Sequence, residues 1–176
     1  FNTGILIETL HEAGGEVLFA PSEPGSTKSE VVDHLDAREG ITAFAQEGMS
    51  DEEFSEAQHS LLEKEPDLVL DDGAELIAKA HESHPEVAKG IKGGVEQTTA
   101  GITRLEAMEE ESVLEFPVYG ANDSPMKHRF DNVHGTGESA LTNIAITTNA
   151  LIAGKRVVIA GYGYVGRGIA TKAREL

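Results

Sequence analysis

Apolar and polar positions fall in blocks along the chain, and the blocks switch between helical and extended spacing. Residues 2–13 carry Ile5, Leu6, Thr9 and Leu10 as one helical face, ended by Gly14-Gly15. The run 16–20 predicts a strand, 21–25 a turn, and Ser26 the cap of a helix to about residue 38. A strand over 41–45 follows. Ser50 with Asp51-Glu52-Glu53 then makes an N-cap and an acidic first turn for a helix to about residue 64. The apolar run 67–70 predicts a buried strand that ends in Asp71-Asp72-Gly73, and a helix to Ser83 comes next. A short strand near 90–95, a helix over 98–110 and a strand over 115–119 complete this part. Ser124-Pro125 opens a long helical region that reaches about Ala153, with a break at 135–137. Residues 156–160 predict one more strand, then a glycine loop and a helix.

Strands separated by helices of this length predict an α/β fold with parallel sheets and helices on both faces. The expected organisation is an α/β domain over 1–123, a joining helix region over 124–150, and the start of a second domain over 151–176. The first residue is Phe1, and helical patterns run up to both ends. The expectation is therefore an internal stretch of a longer polypeptide.

Charge narrows the partners. Thirty-one acidic residues against fourteen basic ones give a formal net charge of -17, which disfavours nucleic-acid backbones and anionic membranes. Such a surface is either an ordinary solvated face or an adaptation to high salt. No signal peptide and no long apolar run is visible, so a cytoplasmic location is expected. With no cysteine, these residues hold no disulfide, thiolate metal site or cysteine nucleophile.

Four segments carry candidate chemistry. Gly161-Tyr162-Gly163-Tyr164-Val165-Gly166 is G-x-G-x-x-G between an apolar strand and a helix. That context suits a dinucleotide pyrophosphate at a helix N-terminus, the alternative being a turn needed for packing. Asp72, at the end of a predicted strand, is either a proton-transfer group or a helix cap. Lys127 and Asp131 are four apart and share a helical face, as a reacting pair or as a surface ion pair. Glu96-Gln97-Thr98-Thr99-Ala100-Gly101 presents two hydroxyls at a helix start, for capping or for a sugar or cofactor. His81 and His84 lack a third ligand, and no metal site is expected.

Together, in this order, these segments resemble the S-adenosylhomocysteine hydrolase family. The matching residues are Leu70-Asp71-Asp72-Gly73, Glu96 to Gly101, Asn122-Asp123 with Lys127 and Phe130-Asp131-Asn132, then Ala153-Gly154-Lys155 and Ala160-Gly161-Tyr162-Gly163. The resemblance covers essentially the whole chain. It implies a substrate domain followed by the start of a Rossmann-type NAD-binding domain, and reversible cleavage of S-adenosyl-L-homocysteine to adenosine and homocysteine through a 3′-keto sugar. It implies that Lys127 and Asp131 contact the 3′ hydroxyl, that Asp72 is an acid/base near the 4′ and 5′ carbons, and that Gln97 faces the ribose hydroxyls. NAD would be held by Thr98, Thr99, Asn132 and the loop Gly163, Tyr164, Val165, Gly166, Arg167 and Gly168. A hinge in the helix after Ser124 and a homotetramer are implied as well.

Some positions depart from the family pattern. Gln97 stands where the family usually has Glu, Ala100 replaces a third Thr, and residues 23–29 keep only Ser26-Thr27 of a longer motif. Tyr164 and Thr136 follow archaeal-type choices. Three other readings therefore stand beside the hydrolase: a non-catalytic NAD-binding regulatory paralogue, a homologue acting on S-inosylhomocysteine, and another NAD enzyme such as a hydroxyacid dehydrogenase.

Overall fold

The structure is a computed structural model that describes residues 2–176. The chain groups into two units, Phe1–Tyr119 and Gly120–Leu176. The first contains α1 (Asn2–Glu12), β1 (Val17–Phe19), a 3-10 turn (Pro24–Ser26), α2 (Ser29–Asp36), β2 (Ile41–Ala43) and α3 (Asp51–Leu62). It continues with β3 (Leu68–Asp71), α4 (Glu75–Ser83), α5 (Pro85–Gly90), β4 (Gly93–Glu96) and α6 (Thr99–Glu110), and β5 (Val118–Gly120) follows. The fold class is α/β with parallel strands, as the block pattern predicts. β1 pairs with β2 and β3 with β4, both in parallel, and β5 extends the second sheet in the order β3-β4-β5.

Each sheet has its own core. Ile7, Leu35 and Ile41 are buried beside β1 and β2, with Val17, Phe19 and Val31 packed against them. Leu62, Val69, Ile77, Leu105 and Phe116 anchor the larger core beside β3–β5. Burying a side chain of this size contributes roughly 1.5–3 kcal/mol. The expected cover on both sheet faces is not found among the described residues. Val69 is buried at 3% exposure while its neighbours Leu68 and Leu70 stand 65% and 50% exposed. Side chains alternate across a strand, so helices over one face alone bury every second residue.

Helix α1 also turns a different way from the face expected. Ile5 and Leu6 are exposed, and Gly4 and Ile7 are the buried positions. A Cβ on Gly4 would come within 3.2 Å of Val31, so the missing side chain lets α2 approach there. Ser26 does not cap α2 but lies in the preceding 3-10 turn, its hydroxyl donating to the Glu23 carbonyl. The helix starts at Ser29, whose N–H and hydroxyl both donate to the Glu47 carboxylate, a residue eighteen positions away that sequence spacing does not flag. Helix α5, opened by Pro85, is an element the patterning misses.

Helix α3 follows its expected signature. The Ser50 hydroxyl accepts from the Glu53 N–H at 3.2 Å, and the Glu53 carboxylate accepts from the Ser50 N–H at 2.8 Å. Ser50→Ala is expected to lower unfolding free energy by about 1 kcal/mol, measured by urea titration. Hydrogen bonding to the Ser50 backbone first, and then to its side chain, which Ser50→Ala removes, holds the Glu53 carboxyl below its usual range. A lowered carboxyl contributes stability above its unfolded-state pKa and loses it as pH falls through the folded value. The effect of Ser50→Ala should therefore shrink in acid.

The second unit opens with a 3-10 turn (Ala121–Asp123), followed by a π-helical segment (Lys127–Gly135), α7 (Thr136–Thr148) and α8 (Tyr164–Glu175). The break expected near 135–137 is a change of helical winding, since the Thr136 N–H bonds back five residues to the Asp131 carbonyl. The helix ends at Thr148 rather than Ala153 because Asn149 takes the left-handed conformation, φ 49°. The run 156–160 is not a strand: no ladder forms on it among the described residues, and Val158 is 94% exposed. A strand needs a neighbour to satisfy its backbone groups, and none is present there. No helix among the described residues is long and apolar enough to cross a membrane.

Candidate functional site

In the first unit the chemistry gathers at the C-terminal edge of β3 and β4, where Asp71 and Glu96 are register partners. The two adjacent aspartates have different partners. The Asp71 carboxylate accepts from the Ile77 N–H at 2.9 Å and the Asp72 N–H at 2.8 Å, so it is the residue that caps α4. Burial pushes the Asp71 carboxyl above the usual carboxylate range, with a smaller push from Glu96, while those two N–H bonds pull it back. Asp72 is half-buried, and its Oδ2 accepts from the Gln97 side-chain amide at 2.8 Å.

Glu96 is fully buried. Its Oε1 accepts from the Gly73 N–H at 2.9 Å, the Thr98 N–H at 2.7 Å and the Thr98 hydroxyl at 2.7 Å; Oε2 accepts from the Ala74 N–H at 2.8 Å. Sequence reasoning assigned it no part. An acid directly before a helix cap was the available signal. The Thr98 hydroxyl also accepts from the Gly101 N–H at 2.9 Å, so Thr98 is the N-cap of α6 and its hydroxyl is committed to local bonds. Thr99 and Gln97 are exposed on the same edge. Thr27, also singled out by sequence, is buried with no hydrogen-bond partner for its hydroxyl among the described residues.

In the second unit the π-winding changes which residues meet. An α-helix would stack Lys127 on Asp131. With the wider turn, Lys127 instead stands over Asn132, five residues on. Its Nζ donates to the Asn132 side-chain oxygen at 3.0 Å and to that of Asn122 at 3.1 Å. Both asparagines are buried, and the Asn132 amide donates to the Asn122 oxygen at 3.3 Å. A Lys127–Asp131 surface ion pair, the alternative reading, does not form among the described residues. Asp131 is exposed, and its carboxylate lies across Gly135, where a Cβ would meet Oδ1 at 2.5 Å.

The glycine loop meets this cluster through aromatic contacts. The rings of Tyr164 and His128 are 4.9 Å apart, and the Arg167 guanidinium lies 4.9 Å from the Tyr164 ring centre on α8. The His128 ring bonds the Asn122 carbonyl at 2.9 Å, so the Tyr164 ring and the Lys127 cluster share a neighbour.

The glycines themselves have different duties. Gly161 has φ +95°. A Cβ on Gly166 would lie 2.2 Å from the Gly161 carbonyl oxygen, and one on Gly168 would lie 2.0 Å from that of Val133. Those two positions are close backbone packing. Gly163 faces open space: among the described residues, its chain neighbours aside, no atom lies within 4 Å of where a Cβ would stand, and no side chain caps the start of α8. An uncapped helix N-terminus with open space before it suits a phosphate, so this loop fits the pyrophosphate end of NAD. Among the described residues no cluster of three metal-ligating side chains occurs.

The family model described as S-adenosyl-L-homocysteine hydrolase matches residues 1–84 and 74–160. An adenosylhomocysteinase of Halobacterium salinarum is 50% identical over 171 residues, 97% of this chain and 40% of the relative. One of Archaeoglobus fulgidus is 48% identical over 174 residues, 99% of this chain and 43% of the relative. An S-inosyl-L-homocysteine hydrolase of Methanosarcina mazei is 47% identical over 174 residues, 99% of this chain and 42% of the relative. The chain thus spans about 40% of the length of the curated relatives it matches.

Proposed function

The chain belongs to the S-adenosyl-L-homocysteine hydrolase family, and on that premise we propose that it serves an NAD-dependent enzyme that reversibly cleaves S-adenosyl-L-homocysteine to adenosine and homocysteine. The observation that carries the reading is Asp72. Its neighbour Asp71 takes the capping duty, which leaves Asp72 half-buried at the sheet edge with its carboxylate oriented by Gln97.

Each residue then has a task its surroundings suit. Asp72 moves a proton at the sugar 4′ and 5′ carbons, and the Gln97 amide holds the oxygen that does so. Lys127 has three ammonium protons; two go to Asn122 and Asn132, and one serves the 3′ hydroxyl. Asp131 accepts from that hydroxyl. NAD, when bound, supplies a reversible hydride acceptor. Gly163 and the start of α8 would hold its phosphates, with Tyr164, Val165, Gly166, Arg167 and Gly168 shaping the cradle and Thr99 and Asn132 adding contacts; Thr98, its hydroxyl bonded to Glu96 and Gly101, would act by fixing the helix start that presents Thr99. The acidic surface suits a cytoplasm rich in salt, and the working assembly is a homotetramer.

The test is thiol release from the full-length protein carrying these residues, loaded with NAD, in high salt. Release in proportion to enzyme supports the reading. Folded, loaded protein that releases none moves the assignment to a regulatory paralogue. Running the assay with the adenosine and the inosine thioether decides the base, a point on which the relatives differ in name.

The Asp72–Gln97 contact yields a sharper expectation. Gln97→Glu would place a second carboxylate 2.8 Å from Asp72, and two such groups share a proton. The acid limb of the pH–rate profile should move up by about one unit. Superimposable profiles would separate Gln97 from the reacting group.

A further inference from the structure

We infer that Glu96 is a positioning residue: its buried carboxylate ties the turn that carries Asp72 to the strand end that carries Gln97 and Thr98, and so fixes the geometry of the reacting edge. The inference rests on the hydrolase reading for its catalytic consequence and on geometry alone for the tie.

The geometry is unusual in three ways. First, Glu96 has no exposure, and its four donors come from two separate segments, Gly73-Ala74 after β3 and Thr98 after β4. Oε1 takes three of these donors and Oε2 one, so both oxygens of the buried carboxylate are engaged. Second, the turn is held in a backbone shape it would not choose freely. Gly73 has φ +100°, and Ala74 has φ +56° although it carries a Cβ. Two successive left-handed residues point their N–H groups into one concavity, and the Glu96 carboxylate fills it. Third, α6 makes room for the carboxylate. A Cβ on Gly101 would stand 2.3 Å from Glu96 Cδ, so that position is glycine where helix propensity alone favours alanine.

Asp72 sits inside the tied turn, between Asp71 and Gly73, and Gln97 sits between Glu96 and Thr98. Releasing the carboxylate lets both segments drift and separates the Asp72 oxygen from the Gln97 amide. A misplacement of about 1 Å at a reacting group can cost roughly a hundredfold in rate.

The experiment compares the full-length, NAD-loaded protein with its Glu96→Gln variant. Glutamine keeps the shape but turns an amide NH2 toward a backbone N–H. Amide hydrogen exchange at Gly73 and Ala74 should accelerate by about tenfold or more. Turnover per loaded subunit should fall about a hundredfold, with the KM for the thioether changed by less than about threefold. Gly101→Ala, which displaces the carboxylate without removing it, should move all three readouts the same way, and it decides the matter if Glu96→Gln does not fold. A lowered melting temperature with unchanged turnover per loaded subunit, or unchanged exchange at Gly73 and Ala74, overturns the inference. An unmutated protein without thiol release refutes the hydrolase reading instead, and the exchange measurement then decides by itself whether Glu96 holds the turn.

Discussion

Lys127→Ala in the full-length protein is expected to abolish thiol release, lowering turnover by about a thousandfold or more, while the protein stays folded and loaded with cofactor. The size of the effect follows from how the lysine is held. Its Nζ is fixed by two buried asparagine oxygens rather than by a carboxylate, so the ammonium is oriented but its charge is not neutralised by a partner at contact distance. The fold should tolerate the loss. Asn132 still donates to Asn122, and the oxygens that lose a donor cost about 1–3 kcal/mol. Thiol release and a circular-dichroism melt, measured on one preparation, separate the two effects. Turnover near that of the parent would remove Lys127 from the reaction.

Gly168→Ala should produce the largest loss of stability of any single methyl added to the second unit. The new Cβ would lie 2.0 Å from the Val133 carbonyl oxygen and 2.8 Å from its carbon. Both are backbone atoms of the π-helical segment, so no side chain can swing away. Helix α8 has to retreat from that segment, at a cost of about 3 kcal/mol. Gly163→Ala is the counterpart. Its φ of −76° suits any residue and nothing stands near its Cβ, so the melt should be unchanged, yet the added methyl narrows the space before α8 and cofactor loading should fall. Equal melting temperatures for the Gly168→Ala variant and its parent would show that the α8 contact is looser than described.

These two glycines look alike in the sequence, where G-x-G-x-x-G followed by another glycine is one motif. One is open and one is jammed against a neighbouring backbone, and spacing cannot tell them apart, because the neighbour is thirty-five residues earlier in the chain. The same holds at the sheet edge. Asp71 and Asp72 are equivalent in composition, and only the fold gives the α4 cap to the first and the Gln97 contact to the second. Glu96 stood in a candidate segment without a role of its own, since a buried acid reads like any acid until its donors are seen.

The sequence by itself determined the alternation of elements, the N-cap at Ser50, the parallel α/β class and the family, because each rests on local spacing, end signals or runs of matching residues. The tertiary structure alone decided which face of α1 is buried, that residues 156–160 lack a ladder, and that Lys127 meets Asn132 rather than Asp131. The last turns on helical pitch: a π-turn adds about one residue to each turn, and that moves the side-chain neighbour from the fourth position to the fifth. Pitch, strand partnership and burial are set by what packs against a segment, and that information is spread over residues distant in the chain.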